Sequence, residues 1–347
     1  MERQSIIKNF SMYGIYEYYS CGGPGTLPGA KTGFLHRCMY LRHQEKDEIE
    51  DIIRKHSRFV VLIQQNEYAM FLFQTEIQTL LHAAKKPYVI ITCMDDPTFP
   101  VKVVGSFFNT VLDDGKPKPE LKLFRHWFTT NCSVRDINGV APTIALAKIS
   151  PIPYGIDYWT LGIRQTWANT PMAAACTQDR ELVRLQNSMV HFSKRLSTSG
   201  DRSFPKVYIN FQFNLNGNGS FERLLAYYSI PRDVANVERR RVNRYETWGA
   251  YTQNIFVASP RGNGLDTIRT WEALMLGCIV IIRRLPDAPV MEELYADLPV
   301  VIIERWSDVT RDFLEWVLSE YSNRVFRYEK LTMQYWIQRI EAAFDED

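Results

Sequence analysis

The sequence has no excess of either charge and no long apolar run, and each absence excludes a class of protein. Its 347 residues carry 41 Lys and Arg against 39 Asp and Glu, which leaves a formal net charge of +2. This balance gives no general attraction to nucleic acid or to an anionic membrane, so neither is expected as a partner. No stretch approaches the roughly 20 apolar residues that span a bilayer, and the first residues lack the apolar segment of a signal peptide. We therefore expect a soluble, cytoplasmic protein without a membrane span.

The sequence also lacks paired cysteines. Its six cysteines are scattered, and none lies in a CxxC pair of the kind that holds zinc or carries redox chemistry. They are Cys21, Cys38, Cys93, Cys132, Cys176 and Cys278. Several stand in apolar runs, where cysteine behaves as a small buried hydrophobic residue. The spacing predicts no metal site and favours a reducing compartment.

What the sequence does contain is an alternation of apolar runs and helical patterns typical of α/β proteins. The run RFVVLIQ at 58–64 predicts a buried strand, 67–86 predicts a helix, and PYVIITCMDD at 87–96 predicts the next strand. This β-α-β order implies parallel pairing in a doubly wound sheet. A second series begins with KVYINFQF at 206–213 and continues with the strands NIFVASP, CIVIIRR and LPVVIIER.

The length suits two domains, and a break separates the two series. Two prolines and a glycine interrupt the pattern near 151–159, which predicts a hinge. We predict an N-terminal Rossmann-like domain over 1–155, a C-terminal one over 156–325, and a helix within 326–347 that crosses back to the first domain. Ligands of such domains bind at the carboxyl ends of the strands, so we expect a cleft between the two domains. Further helices are predicted over 170–196, 308–323 and 328–344.

A Gly-rich turn in VASPRGNGLDTIRTWEALMLGCIVII, at 257–282, connects a strand to a helix. Asp266 or Thr267 can cap this helix, and Gly262 and Gly264 permit the backbone to turn tightly. The unpaired amides and partial positive charge of a helix N-terminus suit a phosphate group. The spacing therefore allows a phosphate-binding turn, and it equally allows a tight connection without a ligand.

Two charged residues of that helix extend the first interpretation. Arg269 and Glu272 are three residues apart and so lie on one helix face. Arg269 could reach a diphosphate from the N-terminal end, and Glu272 could accept hydrogen bonds from two ribose hydroxyls. In the alternative interpretation, the two side chains form a surface ion pair and bind no ligand.

Three segments of the sequence resemble the exostosin-like glycosyltransferases, a family with the GT-B fold. SPRGNGLDTIRTWEALMLGCIVII closely resembles that family's nucleotide-sugar-binding segment, and KVYINFQFNLNGNGSFERLLAYY resembles the first strand, loop and Arg-bearing helix of its C-terminal domain. PIPYGIDYWTL resembles the interdomain segment, although relatives often have His where Trp159 stands. The resemblance extends from about Leu121 onward and points to the type found in large DNA viruses of algae.

The resemblance implies two Rossmann-like domains facing across a cleft, with C-terminal helices packing across both. It also implies that Arg223 and Arg269 bind the donor diphosphate, that Glu272 binds the ribose, and that the loop Pro260–Gly264 lies beneath the donor sugar. The remaining donor-binding candidates are Asn214, Asn216, Arg261, Gly262, Asn263, Gly264, Asp266 and Thr267. The two asparagines could instead only make turns, and Arg223 could be a solvated helix residue.

Glycosyl transfer with inversion needs a base that deprotonates the acceptor hydroxyl. The arginines and the helix N-terminus can stabilise the leaving diphosphate, and we identify no DxD motif of the kind that holds Mn²⁺ in the other glycosyltransferase fold. We therefore expect a metal-independent reaction with no cofactor beyond the UDP-sugar co-substrate. CMDDP at 93–97 follows a strand, so we predict Asp96 as the base and Asp95 as the second choice. An acidic turn that caps a helix is the alternative.

The N-terminal domain of a GT-B enzyme binds the acceptor. The Gly-rich stretch YYSCGGPGTLPGAKTGF at 18–34 could line that site through Gly22 and Gly23, or could be a connection without a ligand. Trp127, in FRHWFTTN, could stack on a sugar or fill the core.

Together with the resemblance, these residues predict a glycosyltransferase that moves a sugar from a UDP-sugar to a hydroxyl of a glycan or glycoprotein. Xylose, galactose and glucuronic acid are candidate sugars, and a viral capsid glycan made in the host cytoplasm is a candidate product. The alternative is a nucleotide-sugar- or glycan-binding protein of the same fold without catalysis. A two-lobed solute-binding protein is disfavoured because the signal peptide is missing.

Overall fold

The computed structural model divides the chain into two compact units. One unit comprises Met1–Tyr154, Pro286–Leu294 and Thr332–Asp347, and the other comprises Gly155–Leu285 and Tyr295–Leu331. The sequence did not predict that residues 286–294 belong to the first unit. The residues that the structure describes are 38–40, 46–64, 73–93, 112–113, 116–133, 147–156, 175–188, 204–211, 219–240, 242–286 and 288–345.

The first unit contains a five-stranded parallel sheet in the order β1-β2-β3-β6-β7. Its strands are β1 (Cys38–Tyr40), β2 (Phe59–Gln64), β3 (Tyr88–Cys93), β6 (Phe124–Thr129) and β7 (Ile149–Pro151). A separate antiparallel pair consists of β4 (Leu112–Asp113) and β5 (Lys116–Pro117). The parallel pairing confirms the β-α-β interpretation. Every residue of β3 is buried, which explains why this strand is continuously apolar rather than alternating.

The second unit contains another five-stranded parallel sheet, in the order β9-β8-β10-β11-β12. Its strands are β8 (Val207–Ile209), β9 (Ala235–Val237), β10 (Phe256–Ala258), β11 (Ile279–Arg283) and β12 (Val300–Ile303). The sequence predicted all of these strands except the edge strand β9. The chain moves in one direction from β8 to β9 and in the other from β10 to β12. This reversal is a topological switch point between β8 and β10, the place where parallel α/β sheets bind ligands at their carboxyl edge.

Helices connect the strands in both units. The described α-helices are α1 (Lys46–Lys55), α2 (Gln78–Ala83), α3 (Ala175–Ser188), α4 (Ser220–Ser229), α5 (Arg244–Gln253), α6 (Ile268–Met275), α7 (Glu292–Tyr295), α8 (Arg311–Ser322) and α9 (Met333–Ala342). Within the described chain, none is long and apolar enough to cross a membrane. The fold is therefore α/β with two parallel sheets, as the sequence predicted.

Local signals in the sequence explain where several helices begin and end. Asn243 caps α5 in a capping box with Glu246, and the Thr310 hydroxyl caps α8 by accepting from the Phe313 amide. After α6, Gly277 adopts a φ of 74°, a left-handed conformation that ends the helix before β11. The helix predicted over 67–86 is described from a π-helical turn at Phe73–Ile77 through α2.

The core of the second unit forms where the sheet meets α4 and α8. Val207 and Phe256 in the sheet, Ala226 in α4 and Val317 in α8 are fully buried members of one apolar cluster. Burial of each large side chain contributes about 1.5–3 kcal/mol to folding. This packing fixes α4 against the sheet and so determines where the first residues of α4 lie.

Candidate anion-binding site

Two loops meet at the carboxyl edge of the second sheet, one before α4 and one between β10 and α6. A Cβ atom built on Gly219 would overlap the Gly262 carbonyl group and would stand 2.7 Å from the Arg261 carbonyl oxygen. Only glycine allows two backbone segments to approach this closely. The start of α4 therefore lies directly against the Gly-rich loop that leads into α6, at the switch point.

Arg223, in α4, extends toward the Gly-rich loop. A Cβ atom on Gly262 would lie 3.0 Å from Nη2 of Arg223, so the guanidinium group packs over this glycine. The pKa of Arg223 is lowered to about 10, first by burial and then by the positive charge of Arg269. Two cations thus lie near each other in a partly buried place, and an anion bound between them would relieve their repulsion.

Arg269, in the first turn of α6, is oriented by neutral groups. Its Nε donates to Oδ1 of Asn210 at 3.2 Å. Its guanidinium carbon lies 5.7 Å from the centroid of the Phe211 ring, within the range of a cation–π contact. Asn210 and Phe211 directly follow β8, so the strand on one side of the switch point positions the arginine on the other.

Helices α4 and α6 both begin at this carboxyl edge of the second sheet. Among the described residues, the N-caps Gly219 and Thr267 provide no side-chain cap hydrogen bond to their helices. The hydroxyl of Thr267 lies instead 3.0 Å from the Ser259 hydroxyl and 3.3 Å from the Thr270 hydroxyl. The first amides of a helix that lacks a capping side chain are suited to bind an anion, and the helix dipole adds to the attraction.

Asp266 holds the Gly-rich loop in shape. Its buried carboxylate accepts from the Thr267 amide at 2.8 Å, from Trp271 Nε1 at 2.6 Å and from the Tyr295 hydroxyl at 2.9 Å. Burial and the Asp266 charge raise the pKa of Tyr295 well above its usual value, so this hydroxyl stays a donor. These contacts give Asp266 a structural role in the loop rather than a capping role for α6.

Glu272 forms a buried ion pair with Arg244 of α5. Nε and Nη2 of Arg244 lie 2.7 Å and 2.6 Å from the same carboxylate oxygen, Oε1. Nη1 of Arg244 donates to Oε1 of Gln178 at 2.8 Å, and its guanidinium lies 4.9 Å from the Trp248 ring centroid. The alternative surface pair of Glu272 with Arg269 is therefore wrong, because the described partner of Glu272 is Arg244.

Glu222, next to Arg223 in α4, is bound on both oxygens. Nε of Arg283 lies 2.9 Å from Oε1 and from Oε2, and Nη2 lies 2.6 Å from Oε2. Trp306 Nε1 also donates to Oε1, at 2.7 Å. The hydrogen bonds and charge of Glu222 raise the pKa of Arg283. The carboxylate of Glu222 thus binds Arg283 of β11 and Trp306, although Glu222 is adjacent to Arg223 in sequence.

The other predicted site residues lie elsewhere in the loop, in the core of the first unit or outside the described residues. Arg261 and Gly264 are partly buried in the loop, and Asn263 is exposed. Trp127 is fully buried and donates from Nε1 to the Thr92 hydroxyl at 3.0 Å, so it offers no free face to a sugar and fills the core. The candidates that lie outside the described residues are Gly22, Gly23, Asp95, Asp96, Asn214 and Asn216.

Sequence reasoning missed Asn210, Arg244 and the pairing of Glu222 with Arg283. A signal for Asn210 was present, because it is the first polar residue after the apolar strand β8 and carboxyl ends carry ligands. No comparable signal marked Arg244.

The described residues contain no group of three or more His, Cys, Asp or Glu arranged to hold a metal ion, and metal independence stays a prediction.

Comparisons with known proteins add little to this geometry. No protein-family model and no curated protein matches the sequence. Among solved structures, the chain is similar to an alpha,alpha-trehalose-phosphate synthase (UDP-forming) from Burkholderia vietnamiensis, at 12% identity and a TM-score of 0.37 over 87% of this chain and 75% of that one. It is also similar to the corresponding synthase from Burkholderia xenovorans, at 11% identity and a TM-score of 0.30 over 87% and 78%.

Proposed function

We propose that the second unit binds the diphosphate of a nucleoside-diphosphate sugar and that the chain is a glycosyltransferase of the GT-B type. The observation that carries this proposal is the meeting of Arg223, Arg269 and two helix N-termini at the switch point of the sheet. A diphosphate is the ligand whose charge matches two guanidinium groups and two sets of helix amides. The resemblance to exostosin-like glycosyltransferases supports a sugar on that diphosphate.

The arrangement suits departure of a diphosphate as well as its binding. As the bond between the donor sugar and the diphosphate breaks, negative charge grows on the leaving phosphate oxygens. Fixed positive groups that already point at this place stabilise that charge without reorganising. Arg223 is held over Gly262 and Arg269 is held by Asn210, so both are preorganised. On this proposal the arginines contribute more to the transition state than to ground-state binding.

Glu272 supports a ribose at the same site. Both contacts from Arg244 fall on Oε1, and no described side chain contacts Oε2, which can therefore accept from a sugar hydroxyl. Because Arg244 already balances the charge of Glu272, a neutral diol suits this oxygen better than a cation. The resemblance favours UDP as the nucleotide, with xylose, galactose or glucuronic acid as the transferred sugar.

The acceptor side of the reaction remains a prediction from sequence. We propose a hydroxyl of a glycan or glycoprotein as the acceptor, Asp96 or Asp95 as the base, and inversion without a metal ion. Synthesis of a viral capsid glycan in a host cytoplasm belongs to the same proposal. These parts rest on the resemblance and on the order of residues after β3.

The test is release of UDP from a panel of UDP-sugars, with and without glycan acceptors. We expect turnover with at least one donor, and a loss of at least tenfold in kcat/KM for Arg223→Gln. The matched control is Arg232→Gln, because Arg232 is an exposed arginine stacked 4.4 Å from the Tyr227 ring, after α4. Binding of UDP without any turnover would identify a binding protein instead, and no response to any nucleotide would contradict the whole proposal.

A further inference from the structure

We propose that Asn210 is a positioning residue for Arg269 and that its neutral side chain makes the site selective for a diphosphate over a monophosphate. This inference rests on the proposed function, because the ligand is the diphosphate of the nucleotide. It concerns a residue that the resemblance does not assign. The contacts of Asn210, the carboxylates nearby and the charge of Arg269 carry it.

Asn210 also contacts Tyr251 of α5. The Tyr251 hydroxyl lies 3.5 Å from both Oδ1 and Nδ2 of Asn210, and Tyr251 is itself fully buried in α5. Burial keeps the pKa of Tyr251 above its usual value, so the hydroxyl stays protonated. A buried, neutral tyrosine therefore orients the amide, and the amide oxygen orients Nε of Arg269.

The amide orients the arginine without neutralising it. The described hydrogen bond of Arg269 goes to this uncharged acceptor, and its positive charge is strong enough to lower the pKa of Arg223. An aspartate at 210 would keep the same shape and the same hydrogen bond but would add a negative charge beside Arg269. That charge would form an ion pair with the arginine and repel a bound diphosphate.

The neighbouring acids follow the same arrangement. Glu222 is bound by Arg283 and Trp306, and Glu272 is bound by Arg244. Both glutamates thus pair with an arginine other than Arg223 and Arg269, and Asp266 is bound by the neutral donors Thr267, Trp271 and Tyr295. A neutral residue at 210 completes this arrangement, which leaves the charge of Arg269 for a ligand. The benefit of that charge grows with the charge of the ligand, so it favours UDP over UMP.

The test compares Asn210→Asp and Asn210→Ala with wild type in calorimetric titrations of UDP, UMP and inorganic pyrophosphate. Asn236→Asp is the matched control, because Asn236 is exposed in the edge strand β9 and bonds Asn254 at 3.1 Å. We expect Asn210→Asp to weaken UDP and pyrophosphate at least tenfold and UMP less. We expect Asn210→Ala to weaken UDP and pyrophosphate at least threefold, and Asn236→Asp to change no affinity by more than twofold.

Each result bears on the inference. Wild-type affinity of Asn210→Asp for pyrophosphate, or an equal loss for UDP and UMP, overturns it. If Asn210→Asp does not fold, unchanged pyrophosphate binding by Asn210→Ala overturns it in the same way. If the wild type binds pyrophosphate but not UDP, the proposed nucleotide is wrong. The pyrophosphate titrations alone then test the role of Asn210. Binding of neither contradicts both proposals.

Discussion

Gly219 and Gly262 meet backbone to backbone, and a Cβ atom on Gly219 would overlap the carbonyl group of Gly262. This contact joins the start of α4 to the loop before α6, so it brings Arg223 and Arg269 to one place. The two arginines come from helices on opposite sides of the switch point. Their proximity therefore depends on two residues that have no side chain.

Gly219→Ala tests that contact, with Gly249→Ala as the matched control. The new methyl group at 219 must displace backbone, which we expect to cost about 1–3 kcal/mol and to weaken UDP binding. Gly249 lies inside α5 with open space around a Cβ atom, so alanine there should stabilise by about 0.5–1 kcal/mol. Urea unfolding and UDP titration measure both effects. Equal stability of the two variants would contradict the close approach.

Arg283→Gln and Arg284→Gln compare a partly buried ion pair with an exposed one at adjacent positions. Arg283 binds the buried Glu222, so its loss leaves that carboxylate uncompensated and should cost about 3–5 kcal/mol. Arg284 pairs with Glu304 at 2.5 Å where both are largely exposed, so its loss should cost about 1 kcal/mol or less. Chemical unfolding of both variants decides the matter. Similar costs would mean that Glu222 does not depend on Arg283.

His126 should make the first unit sensitive to mild acid. Its pKa is lowered from 6.5 to about 4 by burial and by the charges of Arg339 and Lys148. The unfolded chain therefore takes up a proton below pH 6.5 while the folded chain does not, so stability is full above 6.5 and falls toward pH 4. The loss reaches at most about 3 kcal/mol.

Hydrogen exchange of the β6 amides, corrected for the intrinsic rate at each pH, measures this loss. His126→Gln should remove most of the pH dependence, because glutamine does not titrate. The wild-type ring bonds Ser150 at 2.8 Å, so the comparison uses the slope with pH and not the absolute stability. An unchanged slope in His126→Gln would show that another group is responsible.

Glu272→Gln should remove discrimination between UDP and 2′-deoxy-UDP. In the wild type, the missing hydroxyl leaves Oε2 without a donor, which should cost the deoxynucleotide roughly five- to tenfold in affinity. The variant also leaves Arg244 without its carboxylate and should be less stable by about 3–5 kcal/mol. The ratio of the two affinities, measured on folded protein, separates these effects. Glu304→Gln, an exposed glutamate, should keep the wild-type ratio, and a kept ratio in Glu272→Gln would contradict the ribose role.

The strands were largely predictable because parallel strands that are buried on both faces have nearly continuous apolar sequences. Tyr88–Cys93 and Ile279–Arg283 are such runs, and both were predicted. Strand β9 was not, because Ala235–Val237 is three residues long, lies at the sheet edge and is only partly buried. A three-residue segment of this kind does not differ from a loop in its sequence.

The site was predictable only in part, because its pairings join residues far apart in the chain. Local spacing and the resemblance singled out Arg223, Arg269 and Glu272. Asn210 and Arg269 are 59 positions apart, and Glu222 and Arg283 are 61 positions apart. The sheet order brings these residues together, and no local pattern encodes which carboxylate meets which arginine. For the same reason Glu272 was paired with its helix neighbour in the alternative interpretation.

Calorimetric titration of UDP into the wild type, Arg223→Gln/Arg269→Gln and Arg232→Gln tests the central claim most directly. Each charged hydrogen bond to a phosphate contributes about 1.5–3 kcal/mol, so we predict a loss of at least 100-fold in the double variant. We predict no change beyond twofold in Arg232→Gln. Wild-type affinity in the double variant, or an equal loss in the double variant and in Arg232→Gln, would contradict an anion site built from Arg223 and Arg269.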